Sequence, residues 1–173
     1  MPSVTVVRTY LELREPSQLR GALVDDPALR LEQVAPDNIP LFRVLYRDVG
    51  YAYQWRHRNL IADDTLRAHF EQPTVQLWVL YLADAHAGFF ELQRHADESV
   101  EVVYFGLTKH VFGRGFGKHL LTCAATKAWE LGAKRVWLHT CTLDSPAALP
   151  NYLARGFDPF KTESYEANLP EPA

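Results

Sequence analysis

At 173 residues the chain has the length of one domain, or of a domain with an added arm, and should bury about 70% of its unfolded surface without staples. Its 47% hydrophobic and 23% charged residues are ordinary globular proportions and exclude wholesale disorder. Eighteen Lys and Arg against 21 Asp and Glu leave a net charge of −3, without the basic surplus of a nucleic-acid binder, and the longest apolar run, Leu77 to Ala83, is far too short for a membrane span.

In chain order, the opening MPSVTVVRTY lacks a basic-then-apolar leader, which points to a cytoplasmic protein. Val4 to Leu13 reads as a strand, and the proline-broken stretch from residue 14 to 38 as loops around a short strand, Leu29 to Val34. Asp37 is placed to cap a helix through Val49, with Leu41, Leu45 and Val49 on one stripe and Gly50 ending it. Asp63 opens a shorter helix to Phe70. Val75 to Leu82 is a nearly all-apolar strand, which requires cover on both faces. Ala87 to Arg94 and Val100 to Leu107 form a hairpin around Ala96-Asp97-Glu98. The strongest helical pattern runs from Gly117 to Leu131, with Gly132 at the place of a left-handed cap. Arg135 to Thr140 is a strand, Asp144 to Arg155 is helical around Pro150, and Phe157 to Glu166 is a last strand. The order predicts an α/β (more loosely α+β) fold, a mixed, mostly antiparallel sheet flanked by helices.

The stretch FGLTKHVFGRGFGKHLL, residues 105–121, carries the most chemical information. Gly113, Gly115 and Gly117 alternate just before a strong helix. Successive N–H groups can converge there without Cβ interference, and the helix N-terminus adds partial positive charge. Such an arrangement is a phosphate or pyrophosphate cradle, the alternative being a plain glycine-rich turn. A Walker A loop is excluded, because Gly117-Lys118 has Phe112 five residues before the glycine and His119 in place of Ser/Thr. A dinucleotide fingerprint is excluded by Lys118 where its third small residue belongs.

With those two set aside, the stretch resembles the GNAT superfamily, the acetyl-CoA-dependent N-acetyltransferases. The family's pyrophosphate signature, Gln/Arg-x-x-Gly-x-Gly/Ala, is matched at Gly115 and Gly117, with Phe112 replacing the first Gln/Arg. Leu107-Thr108-Lys109 stands for the preceding Val-x-Pro. Downstream, Tyr152-Leu-Ala-Arg-Gly156-Phe157 fits Tyr-x-x-x-Gly-Phe, and Asp144 with Ala147 fits Asn-x-x-Ala with Asp for Asn. The resemblance implies a single domain over residues 1–173. In it, 1–74 would be the acceptor-side arm and helices, 75–167 the acetyl-CoA-binding core, and 168–173 a tail. It also implies that the family's fourth strand, here Val100 to Leu107, splays from its fifth. Phe105, Gly106 and Leu107 would then pair with the pantetheine arm, and residues Phe112, Gly113, Arg114, Gly115, Phe116, Gly117 and Lys118 would surround the pyrophosphate. Asp144 completes the cofactor set, and no metal is implied.

Acetyl transfer to an amine needs a base, a donor for the oxyanion and an acid for the thiolate. By the resemblance Glu101, 11 residues before Phe112, is the base; strand alternation sets it on the face of Val103, Phe105 and Leu107, with Glu91 as substitute. Tyr152 is the acid, its hydroxyl toward the coenzyme sulfur. The span from Asp144 to Gly156 is one residue longer than the family's. A bulge at Pro150, between a turn from Ser145 to Leu149 and a second turn through Arg155, would absorb it. His139 and Cys141 share a strand face and read as packing, with His139 beside the acceptor as the lesser option. A Cys-His-Asp nucleophile with Asp144 is disfavoured by chain order. Phe42, Tyr46, Tyr51, Tyr53 and Trp55, followed by Arg56, His57 and Arg58, are core stripe or the wall of an acceptor pocket. An aromatic wall with Arg in reach suits a small amine bearing a carboxylate or a ring. The expected partners are thus acetyl-CoA and a small-molecule amine, with no nucleic acid or membrane and a homodimer left open. A non-catalytic acyl-CoA sensor and a peptide or protein N-acetyltransferase are the alternatives.

Overall fold

The computed structural model describes residues 2–169. A seven-stranded sheet holds β1 (Ser3–Leu13), β2 (Leu29–Gln33), β3 (Val75–Leu82), β4 (Ala85–Arg94), β5 (Ser99–Leu107), β6 (Arg135–Cys141) and β7 (Asp158–Asn168) in the order β2-β3-β4-β5-β6-β1-β7. Only β5 and β6 are parallel, joined by a crossover through α3 (Phe116–Glu130). The first strand enters between β6 and β7, so both ends of the described chain meet on one side of the sheet.

Alternation along the strands fills two cores. Leu11, Leu13, Val100, Val102, Val136 and Leu138 pack under α3 and α4 (Ala148–Ala154). On the opposite face Val75, Leu77, Val79 and Phe89 pack under α1 (Ile39–Gly50) and α2 (Asp63–Phe70). Burial on both faces explains the nearly all-apolar run of β3. No helix among the described residues is long and apolar enough to cross a membrane.

Boundaries follow the local chemistry closely, with five corrections. Asn38, not Asp37, caps α1, its Oδ1 accepting from the Leu41 N–H at 3.3 Å. Gly50 does not end that helix in a left-handed turn. The chain runs on through a short 3-10 turn to Gln54, which holds the positive φ of 62°. Gly50 is instead required by Trp55, because a Cβ there would lie 2.6 Å from the indole. Asp144 caps no helix: its Oδ2 accepts from the Thr140 hydroxyl (2.6 Å) and the Cys141 N–H (2.9 Å), closing the turn after β6. The expected bulge at Pro150 is also absent. α4 begins only at Ala148, so Pro150 sits in its first turn, where an N–H has no helical partner to lose. The extra residue is absorbed in the turn between Asp144 and Ala147, and α4 is unbroken. Asn168, expected to open a tail, instead pairs with Ser3 at the end of β7; the rest of that expectation, residues 170–173, lies outside the described residues.

Candidate active site

β5 and β6 are paired only at Ser99–Glu101 against Arg135–Trp137 and then part. The rest of β5 has no strand neighbour on that side, and the gap opens a cavity of about 700 Å³. Because the gap is in the sheet itself, the cavity is lined from both faces: Phe116, Gly117 and Tyr152 from the α3 side, Trp55, Tyr104 and His139 from the α1 side. A two-substrate reaction can use such a passage, each reactant entering from its own face.

On the α3 side, the loop before α3 turns through Gly113 and Gly115, at φ 77° and 78°, a left-handed conformation that a Cβ strains. α3 then starts at Phe116 with no side-chain cap, so its first N–H groups stay free beside the cavity. Gly117 is different. Its backbone is helical, and a Cβ there would meet nothing nearer than the Asn151 amide at 3.5 Å. Neither strain nor packing explains a glycine, which costs a helix about 1 kcal/mol relative to alanine. Clearance for something in the cavity does.

Phe105, Gly106, Leu107, Phe112, Gly113, Gly115, Phe116, Gly117, Lys118, Asp144 and Tyr152 all line the cavity. Arg114 does not; its guanidinium lies 5.0 Å from the Phe116 ring centre. Asn151, legible only as a cap or surface group, faces the cavity opposite Gly117. Tyr152 packs edge-on to Phe105 and Phe157, and burial, reinforced by Asp144, raises its phenol well above the usual tyrosine value.

On the α1 side, Tyr53 and Trp55 of the aromatic run line the cavity, whereas Phe42 and Tyr46 are core and Tyr51 is exposed. Trp55 stands 4.9 Å from Tyr104, ring centre to ring centre. The arginine expected from residues 56–58 is absent, since Arg58 is buried and held by Glu91 at 3.0 Å. Arg8 of β1 takes that place, with His139, Cys141 and Tyr165. Sequence reasoning missed Arg8 and Tyr165 entirely. Burial raises the Cys141 thiol, and Asp144 raises it further, so the sulfur stays protonated and unsuited to nucleophilic attack.

Glu101 departs from expectation through one residue. Glu91 pairs with Tyr104 and Leu92 with Val102, leaving Val103 as an extra residue, a β-bulge in β5. The bulge reverses the alternation, so Glu101 shares the face of Tyr104 and Gly106, not that of Phe105 and Leu107. Glu101 does not line the cavity; its carboxylate lies 3.9 Å from His95. Burial raises its pKa, with His95 opposing and Glu91 adding. Glu91 is fully buried, and its Oε2 is held by Arg58 at 3.0 Å and by His69 at 2.9 Å.

A profile of the acetyltransferase (GNAT) family matches residues 36–157. No curated protein matches the sequence. Among solved structures, the chain is similar to a GCN5-related N-acetyltransferase from Kribbella flavida, at 19% identity and TM-score 0.67 over 95% of this chain and 58% of that one. An aminoglycoside acetyltransferase from an uncultured soil metagenomic sample is 18% identical, with TM-score 0.63, over 75% of this chain and 88% of its own. An IAA acetyltransferase from Bacillus cereus is 20% identical, with TM-score 0.60, over 77% of this chain and 79% of its own. The chain spans about three fifths of the Kribbella protein and of a Staphylococcus epidermidis protein of unknown function, 58% and 61%. At such identities these likenesses speak to the fold. The family match itself runs over α1, α2, the splayed strands, the glycine loop and α4, well over half of the sequence, and on that ground the chain belongs to the GNAT acetyltransferase family.

Proposed function

We propose that the domain moves an acetyl group from acetyl-CoA to the primary amine of a small molecule by direct attack. The observation that carries this reading is the passage through the sheet, with a glycine-cleared helix N-terminus at one end and an aromatic wall at the other. The N–H groups of residues 113–118 and the Lys118 ammonium would hold the pyrophosphate, and the unpaired side of β5 past Glu101 would take the pantetheine arm as an added strand. The amine enters from the α1 side, past the wall that Trp55 and Tyr104 form, and attacks the thioester carbonyl. Tyr152, kept protonated through neutral pH, gives its proton to the departing thiolate.

The test is calorimetry with acetyl-CoA followed by thiol release against an amine panel. Gly117→Val is expected to raise Kd about 100-fold or more, roughly 2.7 kcal/mol, without unfolding the protein, because valine fits a helix but fills the cleared space. Unchanged affinity in that variant would move the coenzyme elsewhere. Tight binding with no thiol release against any amine would identify a non-catalytic binding module.

A further inference from the structure

The proposed reaction leaves the ammonium's proton without a recipient, since neither Glu101 nor Glu91 lines the cavity. The α1 side of the cavity holds one imidazole and one guanidinium among its liners. β1 and β6 run antiparallel with Tyr10 opposite His139 and Arg8 opposite Cys141. Arg8, Tyr10, His139 and Cys141 therefore share one face, and Arg8 and His139 are diagonal neighbours, which places them roughly 7–8 Å apart. One small molecule can reach both.

We propose that this end of the cavity binds an amine that also carries a carboxylate, with Arg8 pairing the carboxylate and His139 accepting the ammonium proton. The inference rests on the acetyl-transfer reading above. Arg8 and Tyr165 both lie outside residues 36–157, so this anchor comes from β1 and β7, beyond the segment that marks the family.

The charges around the pair fit. Arg8 reaches the Tyr165 hydroxyl at 3.3 Å and lies 3.9 Å from Glu163. Glu163 is already engaged by Lys161 at 2.7 Å and by the Tyr10 hydroxyl at 3.1 Å. With Lys161 and Glu163 offsetting each other, and Asp144 of the same lining accepting from the Thr140 hydroxyl and the Cys141 N–H, Arg8 is the guanidinium that this wall turns to the cavity. An anionic group is attracted to it. His139 packs against Tyr10 with its ring tilted and the centres 5.4 Å apart, and faces Arg8 from β1, Glu163 from β7, and Cys141 and Asp144 from its own strand end. Desolvation, and then Arg8, hold its imidazole below the usual value, while Asp144 and Glu163 oppose. A neutral imidazole at pH 7 is free to take a proton.

The balance closes with no further reactant. The ammonium gives one proton to His139 and its lone pair attacks the thioester carbon. The C–S bond breaks as Tyr152 protonates the sulfur. The tyrosinate then recovers its proton from the new amide nitrogen, and His139 releases its own to water. One proton leaves per turnover.

The test compares small amino acids with their methyl esters and decarboxylated amines, on wild type, Arg8→Gln and His139→Gln. Wild type is expected to favour the acids at least tenfold in kcat/KM, and Arg8→Gln to reduce that ratio to near one. His139→Gln is expected to lower kcat roughly 10²-fold for every amine while leaving the acid-over-ester ratio intact. Its rate should then climb with pH toward the amine's own pKa, without the plateau that a base titrating below the usual imidazole range gives wild type. Equal use of acids and esters by wild type, or a preference that survives Arg8→Gln, overturns the substrate class. Wild-type rate and pH profile in His139→Gln overturn the base. Acetyl-CoA binding with no acetylation of any acid would also overturn the inference, whereas loss of acetyl-CoA binding by wild type would sink the acetyl-transfer reading instead.

Discussion

The two ends of the cavity are assembled differently. The α3 end comes largely from one run of chain, residues 105–118, closed by Asp144 to Tyr152, whereas the α1 end draws on residues 8, 53–55, 104, 139, 141 and 165. The first end offers backbone: free amides, left-handed glycines and an unpaired strand edge. The second offers side chains carried by five separate elements. Backbone geometry holds for any sequence that makes the turn and suits a ligand part common to every turnover. Side chains from distant elements can be exchanged one at a time, which suits the part that distinguishes one substrate from another.

The contrast breaks most visibly at Glu91, beneath the α1 end. Glu91→Ala leaves the buried Arg58 guanidinium without its counter-charge, a change that costs about 3–5 kcal/mol. Arg58 also sits 5.0 Å from the Tyr104 ring centre, so the cavity wall should loosen as well. Urea unfolding is expected to show the lost stability. Calorimetry well below the new midpoint should still give an acetyl-CoA Kd within about twofold of wild type. A Kd that collapses along with stability would mean the two ends do not act separately.

Legibility from sequence divides along the same line. Gly113, Gly115 and Gly117 could be placed because a left-handed turn leading into an amphipathic helix is a local pattern, and β3 could be placed because burial on both faces removes its polar residues. Arg8 could not. Its role depends on β1 entering between β6 and β7, a pairing of residues more than 120 positions apart. Val103 hid for another reason: a bulge adds one residue without any compositional mark, yet it reversed the predicted face of Glu101. At Pro150 the bar against proline inside a helix does not apply, because α4 starts only at Ala148 and nothing local in the sequence marks that start.

Tyr152→Phe sharpens the α3 end. It is expected to lower kcat roughly 10²-fold, as for loss of a general acid, with the acetyl-CoA Kd within about twofold. The raised phenol pKa means that wild type keeps this proton through neutral pH, so no basic limb from Tyr152 should appear there. Single-turnover thiol release at several pH values reads both effects. A Kd that rises in step with the fall in kcat would make Tyr152 a binding residue alone.

The smallest effect is expected at Glu101, which stands at the pinch where β5 and β6 still pair. As a base touching the amine, Glu101 would cost roughly 10²–10⁴ in kcat on change to Gln. Its carboxylate turns toward His95, outside the cavity lining, so Glu101→Gln is expected to lower kcat less than tenfold and to keep the wild-type pH profile. Stability supplies a second reading. Burial raises the carboxyl pKa in the folded state, so the fold binds this proton more tightly than the unfolded chain does. Wild type therefore loses stability as pH rises through that folded value, and the Gln variant does not. Melting curves should show the variant's advantage growing from acid toward neutral pH. A large loss of kcat together with a vanished acid limb would return the base to Glu101, and with it the proton path to the pinch between the strands.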